Sequence, residues 1–129
     1  MFTLTKEFRF EASHQLPHHA GKCRRLHGHS WKFAVIMEGA KLRGLGSDAG
    51  MLMDYGRITD VVKPIVEEKL DHYHLNDSLG MENPTSEAIA AWLFREIRAR
   101  LAPDERMLLF GVRVEETCTA SASFCARAE

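Results

Sequence analysis

Between His27 and Met37 every second residue carries a ring or a long apolar side chain: His27, His29, Trp31, Phe33, Val35 and Met37. A period of two is strand geometry, because successive side chains of an extended chain leave on opposite faces. The segment therefore predicts a β-strand with one buried face, and that face opens with two histidines. A similar run precedes it. Phe8, Phe10, Ala12 and His14 alternate with Arg9, Glu11 and Ser13, so this apolar face also ends on a histidine.

The rest of the chain supplies helices and two more strands. After a glycine-rich stretch without apolar period, Lys41 to Gly50, Asp54 is placed as an N-cap for Ile58, Val61, Val62, Ile65, Val66 and Leu70 at helical spacing. Pro64 inside that pattern predicts a kink or a restart, since proline removes a helix hydrogen bond. A second helix starts near Asn83-Pro84-Thr85-Ser86-Glu87, buries Ile89, Trp92, Leu93 and Ile97, and ends before Pro103. Leu108, Phe110, Val112, Val114 and Glu116 share one strand face, and Cys118, Ala120, Ala122, Phe124 and Ala126 carry the even positions through a last strand. The order ββααββ predicts an α+β fold in one domain, residues 1–129. Its expected core is an antiparallel four-stranded sheet with two helices packed on one face.

Seventeen Lys and Arg against eighteen Asp and Glu leave a net charge of −1, which speaks against a generic nucleic-acid or membrane-surface binder. No apolar run approaches the ~20 residues that span a bilayer, and the start of the chain lacks the pattern of a signal peptide. Three cysteines form no disulfide framework. The expectation is a reduced, cytoplasmic protein, with no nucleic acid and no membrane among its partners.

On a strand, His27 and His29 point the same way, whereas on a helix they would diverge by about 200°. Gly28 between them leaves room for a close approach. With His14 from the neighbouring strand they suggest a three-histidine zinc site, whose fourth position is free for water or substrate. Cys23, four residues before His27, has two readings. As a fourth ligand it would close the site and make it structural. As a nucleophile or base it would sit beside the metal, in the electropositive setting of Lys22, Arg24 and Arg25 that suits reactive cysteines. Cys118 and Cys125 read as small buried cysteines. Asp71 next to His72 orients an imidazole only if the helix has ended there, because adjacent helical residues do not face each other. Glu116 stands where the pattern asks for an apolar residue, and a carboxylate there is costly unless it is paired or binds something. His74 and the pair His18-His19 read as surface residues.

Five motifs in order, Phe10-Glu11-Ala12-Ser13-His14, Cys23-x₃-His27-Gly28-His29, Leu70-Asp71-His72-Tyr73-His74-Leu75-Asn76, Asn83-Pro84-Thr85-Ser86-Glu87 and Glu116-Thr117-Cys118, resemble the 6-pyruvoyltetrahydropterin synthase family nearly end to end. Within the family the close Cys-x₃-His-Gly-His spacing is similar to the branch that makes 6-carboxytetrahydropterin for queuosine. The resemblance implies the tunnelling fold, whose subunits join through their sheets, usually as a homohexamer of two trimers with sites at subunit interfaces. It implies one Zn²⁺ per subunit on His14, His27 and His29, and makes Cys23 the catalytic thiolate rather than a ligand. Asp71 and His72 become proton-shuttling partners. Glu116 grips the amino-pyrimidine edge of a pterin triphosphate substrate and shares in the relay, with Thr85 and Ser86 helping from a neighbouring subunit. Three other readings are the pyruvoyl branch, which eliminates triphosphate without carbon loss, a cupin-like metalloprotein, and a non-catalytic protein with a structural Cys-His₃ zinc.

Overall fold

The structure, a computed structural model, describes residues 1–126. At its centre the two strands foreseen from the alternation pair with each other. Strand β1 (Phe2–His14) pairs antiparallel with β2 (His27–Gly39) over its whole length. Phe10 stands opposite Trp31 and His14 opposite His27. The even residues of β1 and the odd residues of β2 face the core, where Phe10 and Trp31 stack with ring planes 3° apart.

The first helix, α1 (Tyr55–Ile65), is capped by the Asp54 carboxylate, which accepts from the Gly56 N–H. It buries Ile58, Val61, Val62 and Ile65 on one face. The helix runs through Pro64, which cannot donate to the Asp60 carbonyl, and directly afterwards widens into a π-helical turn over Val66–Leu70. The irregularity expected from Pro64 is thus a change of helix type rather than a break. Helix α2 (Leu75–Ser78) is a single turn. The long helix α3 (Ser86–Arg100) is capped by the Thr85 hydroxyl, and α4 (Pro103–Arg106) is another single turn. The long helices bury Ile65, Ile89, Leu93 and Ile97 completely, in one core with Phe33, Val35 and Val112.

The sheet differs from the expected one. The two later strands, β4 (Leu109–Thr117) and β5 (Ala120–Cys125), add to the far side of β2, but a fifth strand exists. The two-residue β3 (Tyr73–His74) lies parallel to β1 beside Ala12 and Ser13, so the order is β3-β1-β2-β4-β5 and the sheet is mixed. The two expected helices are present as α1 and α3, and two single turns bring the described residues to four α-helices. Strand β4 also departs from strict alternation twice. Its pairing with β2 jumps from Gly111 opposite Ile36 to Leu109 opposite Met37, so Phe110 is bulged out and Leu109 enters the core. Its pairing with β5 jumps between Glu115 and Thr117, which leaves Glu116 as an extra, unpaired residue. Cys118 is exposed in the β4–β5 turn and Cys125 is half-buried, so neither is the buried cysteine the pattern suggested. No helix among the described residues is long and apolar enough to cross a membrane.

Candidate metal centre

The core-facing rows of β1 and β2 run straight into the site. Beyond Trp31 the β2 row continues as His29 and His27, and beyond Phe10 the β1 row passes Ala12 and ends on His14. The His14 and His29 rings stand edge-on to Trp31, with centroids 5.0 and 5.3 Å away. Because His14 faces His27 across the ladder and His29 follows two residues on, the three rings form a compact group with centroids 4.5 to 5.2 Å apart. Glu116 joins them from β4. Its position in the bulge re-aims the side chain, a common use of bulges near sites. Glu116 Oε1 then lies 3.0 Å from His14 Nε2 and 3.1 Å from His29 Nε2. One ligand atom from each of the four residues falls within 4.8 Å of the others.

Hydrogen bonding at the outer ring nitrogens fixes what the inner ones offer. His14 Nδ1 lies 2.9 Å from the Pro84 carbonyl, and His27 Nδ1 lies 2.7 Å from the Arg25 carbonyl. A carbonyl only accepts, so both Nδ1 atoms carry the proton. Burial pushes the pKa of His14 below the ordinary imidazole value, with the Pro84 bond working the other way; burial likewise lowers His29 against the attraction of Glu116. Neutral rings protonated at Nδ1 present a lone pair at Nε2. The Nε2 atoms of His14 and His29 are buried without a well-aligned hydrogen-bond partner, although the Glu116 oxygen is close. For His14, two electron-rich atoms, the ring lone pair and the Glu116 oxygen, face each other 3.0 Å apart. That arrangement fits a metal ion, held by imidazoles whose far nitrogens are oriented by carbonyls.

Cys23 sits in a 3₁₀ turn (Lys22–Arg24) and is half-buried. The turn is anchored by the Leu16 N–H donating to the Cys23 carbonyl at 2.7 Å. Cys23, His27, His29 and Glu116 line one cavity of about 460 Å³. The structure therefore brings together five of the residues singled out in the sequence.

Asp71 and His72 are a pair, but on the other face. The π turn ends at Leu70, so the two are no longer helical neighbours, and His72 Nδ1 lies 2.9 Å from Asp71 Oδ2. Asp71 Oδ1 accepts from the Glu11 N–H at 2.8 Å, while the His72 N–H donates to the Glu11 carbonyl. This two-sided clamp holds His72 in the left-handed region, φ 65°, which is uncommon outside glycine. The Glu11 N–H, followed by the His72 side chain, holds the Asp71 carboxyl below the usual carboxylate range. His72 lines a second cavity of about 700 Å³ with Glu11, Ser13 and Ser30, residues of the sheet face opposite the core. The two cavities meet only at Gly28 and His29.

Thr85 and Ser86 line neither cavity, and the Thr85 hydroxyl is engaged as the cap of α3. His74 is not a bare surface residue: its Nδ1 lies 3.0 Å from the Ser13 hydroxyl. His18 pairs with the Glu82 carboxylate. Gly28 has no close approach inside the chain, since a Cβ there would meet only the Ala12 carbonyl at an ordinary 3.6 Å. The carbonyls of Pro84 and Arg25 were not foreseen as parts of the site, and neither was Asn76. The Asn76 amide accepts from the Gln15 N–H and donates to the carbonyls of Gln15 and Glu82, tying the segment after His14 to the one before Pro84.

Residues 3–127 match the family described as 6-pyruvoyl tetrahydropterin synthase. The chain is 51% identical to the 6-carboxy-5,6,7,8-tetrahydropterin synthase of Synechocystis sp. over 124 residues, covering 96% of this chain and 93% of that one. It is 30% identical to the enzyme of the same name from Haemophilus influenzae, covering 97% of each chain. The fold is shared with the 6-pyruvoyl tetrahydropterin synthase of Caenorhabditis elegans, with TM-score 0.83 at 20% identity, over 98% of this chain and 96% of that one.

Proposed function

The chain belongs to the 6-pyruvoyl tetrahydropterin synthase family, and from that premise we propose that it is a zinc-dependent 6-carboxytetrahydropterin synthase, a carbon–carbon lyase of queuosine biosynthesis. The reaction takes 7,8-dihydroneopterin triphosphate and one water to 6-carboxy-5,6,7,8-tetrahydropterin, acetaldehyde and triphosphate. The 51% identity to the Synechocystis enzyme of that name, over nearly the whole of both chains, carries the choice of this reaction over simple triphosphate elimination. The whole chain, residues 1–129, is the catalytic unit, and its compartment is the cytoplasm.

His14, His27 and His29 hold the zinc. When bound, the metal supplies a Lewis acid that polarises the hydroxyls of the substrate side chain. Glu116 receives the pterin. The ring N3–H and 2-amino group form a two-donor edge that matches one carboxylate. Cys23, in the same cavity, exchanges protons with the side chain as a base beside the metal. His72, steered by Asp71, is the second proton carrier.

Cys23 and His72 face different sides of the sheet within one chain, so they meet one substrate only across a subunit boundary. An assembly of subunits, a hexamer of two trimers, brings the Asp71–His72 pair of one subunit to the Cys23 cavity of the next. Thr85 and Ser86, which line neither cavity of their own chain, also belong to a neighbour's pterin pocket on this reading.

Incubation of zinc-loaded protein with 7,8-dihydroneopterin triphosphate, followed by mass spectrometry of the products, tests the assignment. Acetaldehyde with the 6-carboxy product is expected. A 6-pyruvoyl product with all carbons retained refutes it.

A further inference from the structure

The cavity that contains Glu116 and the histidines is charged unevenly. Glu116 is its carboxylate, and Lys22 and Arg25 are its cations. Neither cation makes an ion pair among the described residues, where seven other Lys and Arg contacts do. Arg24, between them in the chain, does not line the cavity. The 3₁₀ turn explains the selection. Lys22 opens the turn and Arg25 is the extended residue that closes it, so the two cations flank the turn at the cavity wall.

The turn is also fixed in place. The Arg25 N–H donates to the Lys22 carbonyl at 3.0 Å, and the Arg25 carbonyl receives His27 Nδ1. The same peptide that orients a metal-site histidine therefore sets where the Arg25 side chain starts.

We infer that Lys22 and Arg25 form a phosphate-chain subsite of this cavity and so select phosphorylated over unphosphorylated pterins. The inference rests on the pterin reading above. A compact ammonium and a planar guanidinium suit a polyphosphate, the first as a point charge and the second as a two-pronged donor. The charge gradient orients the ligand. Phosphates are repelled by Glu116 and drawn to the turn, while the pterin's donor edge goes to Glu116. The carbon side chain between them is left beside His27, His29 and Cys23.

The test uses zinc-loaded protein and inorganic tripolyphosphate, supplied as its magnesium complex, with zinc content checked after each titration. Lys22→Ala and Arg25→Ala should each weaken tripolyphosphate binding by at least about tenfold, as loss of one partner of a close charge pair does. Arg25→Ala keeps the carbonyl that His27 uses. Arg24→Ala, on the same turn, should change binding by less than about twofold, because Arg24 does not line the cavity. All four proteins should bind phosphate-free 7,8-dihydroneopterin equally. Equal losses in the three variants would mean diffuse surface charge and overturn the subsite, as would unchanged affinity in the first two or no binding by the parent protein. None of these readings needs turnover, so a failed product assay refutes the proposed reaction without touching the subsite.

Discussion

A test of the shared site follows from the two faces of the sheet. Cys23 lines the cavity on the core side, and His72 lines the one on the open side. If a working site takes its thiol from one subunit and its Asp71–His72 pair from the next, two dead variants can repair each other. Cys23→Ala and His72→Ala should each lose about 10²- to 10⁴-fold in turnover, the usual contribution of a positioned proton carrier. Mixed one to one within an assembly, half the subunits keep the thiol and half keep the imidazole. About a quarter of the interfaces then carry both, so turnover should recover to about a quarter of the parent value. The assay is steady-state product formation after coexpression of the two variants under separate tags, with tandem purification to enrich mixed assemblies. Both substitutions lie outside the packed core, Cys23 half-buried and His72 exposed, so each variant should assemble. A mixture no more active than its components would refute the reasoning: thiol and imidazole would then act within one subunit, or one of them would have no role in turnover.

Three further outcomes are expected. His27→Ala should lose zinc and activity together, whereas Cys23→Ala should keep stoichiometric zinc, both read by metal analysis; an emptied Cys23→Ala protein would make the cysteine a ligand. Glu116→Gln turns one acceptor oxygen into a donor facing the pterin's donors, a mismatch of about 1–3 kcal/mol; pterin titration at equal zinc loading should show at least about fivefold weaker binding, and equal affinity would remove Glu116 from recognition. Arg57 meets Glu105 through two hydrogen bonds, 2.9 and 3.0 Å long, and holds its carboxyl below the ordinary value of 4.5. The lowered pKa means a contribution fully present above the ordinary carboxylate range and lost as pH falls through the folded-state value. Glu105→Gln should therefore cost about 0.5–1 kcal/mol at neutral pH, the scale of a partly exposed pair, and the gap in urea midpoints should close in acid; a gap that persists there would rule out the ion pair as its cause.

What the sequence determined by itself was whatever depends on near neighbours. Alternation over 8–14 and 27–37 fixed two strands and the face of each, because side-chain direction in an extended chain repeats every two residues. That placed His14, His27 and His29 on core-side rows before any contact was known. The cap Asp54 was legible for the same reason, since it bonds an amide two residues away. The odd carboxylate at 116 was visible as a break in pattern.

Only the tertiary structure decided the rest, because it depends on residues far apart in the chain. A bulge exists only relative to a partner strand, so the extra residues Phe110 and Glu116 could not be read from alternation, and the aim of Glu116 depended on where β5 pairs. The Pro84 carbonyl that fixes the tautomer of His14 is 70 residues away from it, and the Asp71 carboxylate that holds the Glu11 amide is 60 residues away. The strand β3 owes its existence to that clamp rather than to any β-pattern of Tyr73 and His74. The family resemblance put Cys23 and His72 in one site, but within a chain the sheet separates them. A sheet has two faces, and which one a distant segment crosses is set by the packing of the chain between, here a helix that runs through Pro64 and ends in a π turn at Leu70.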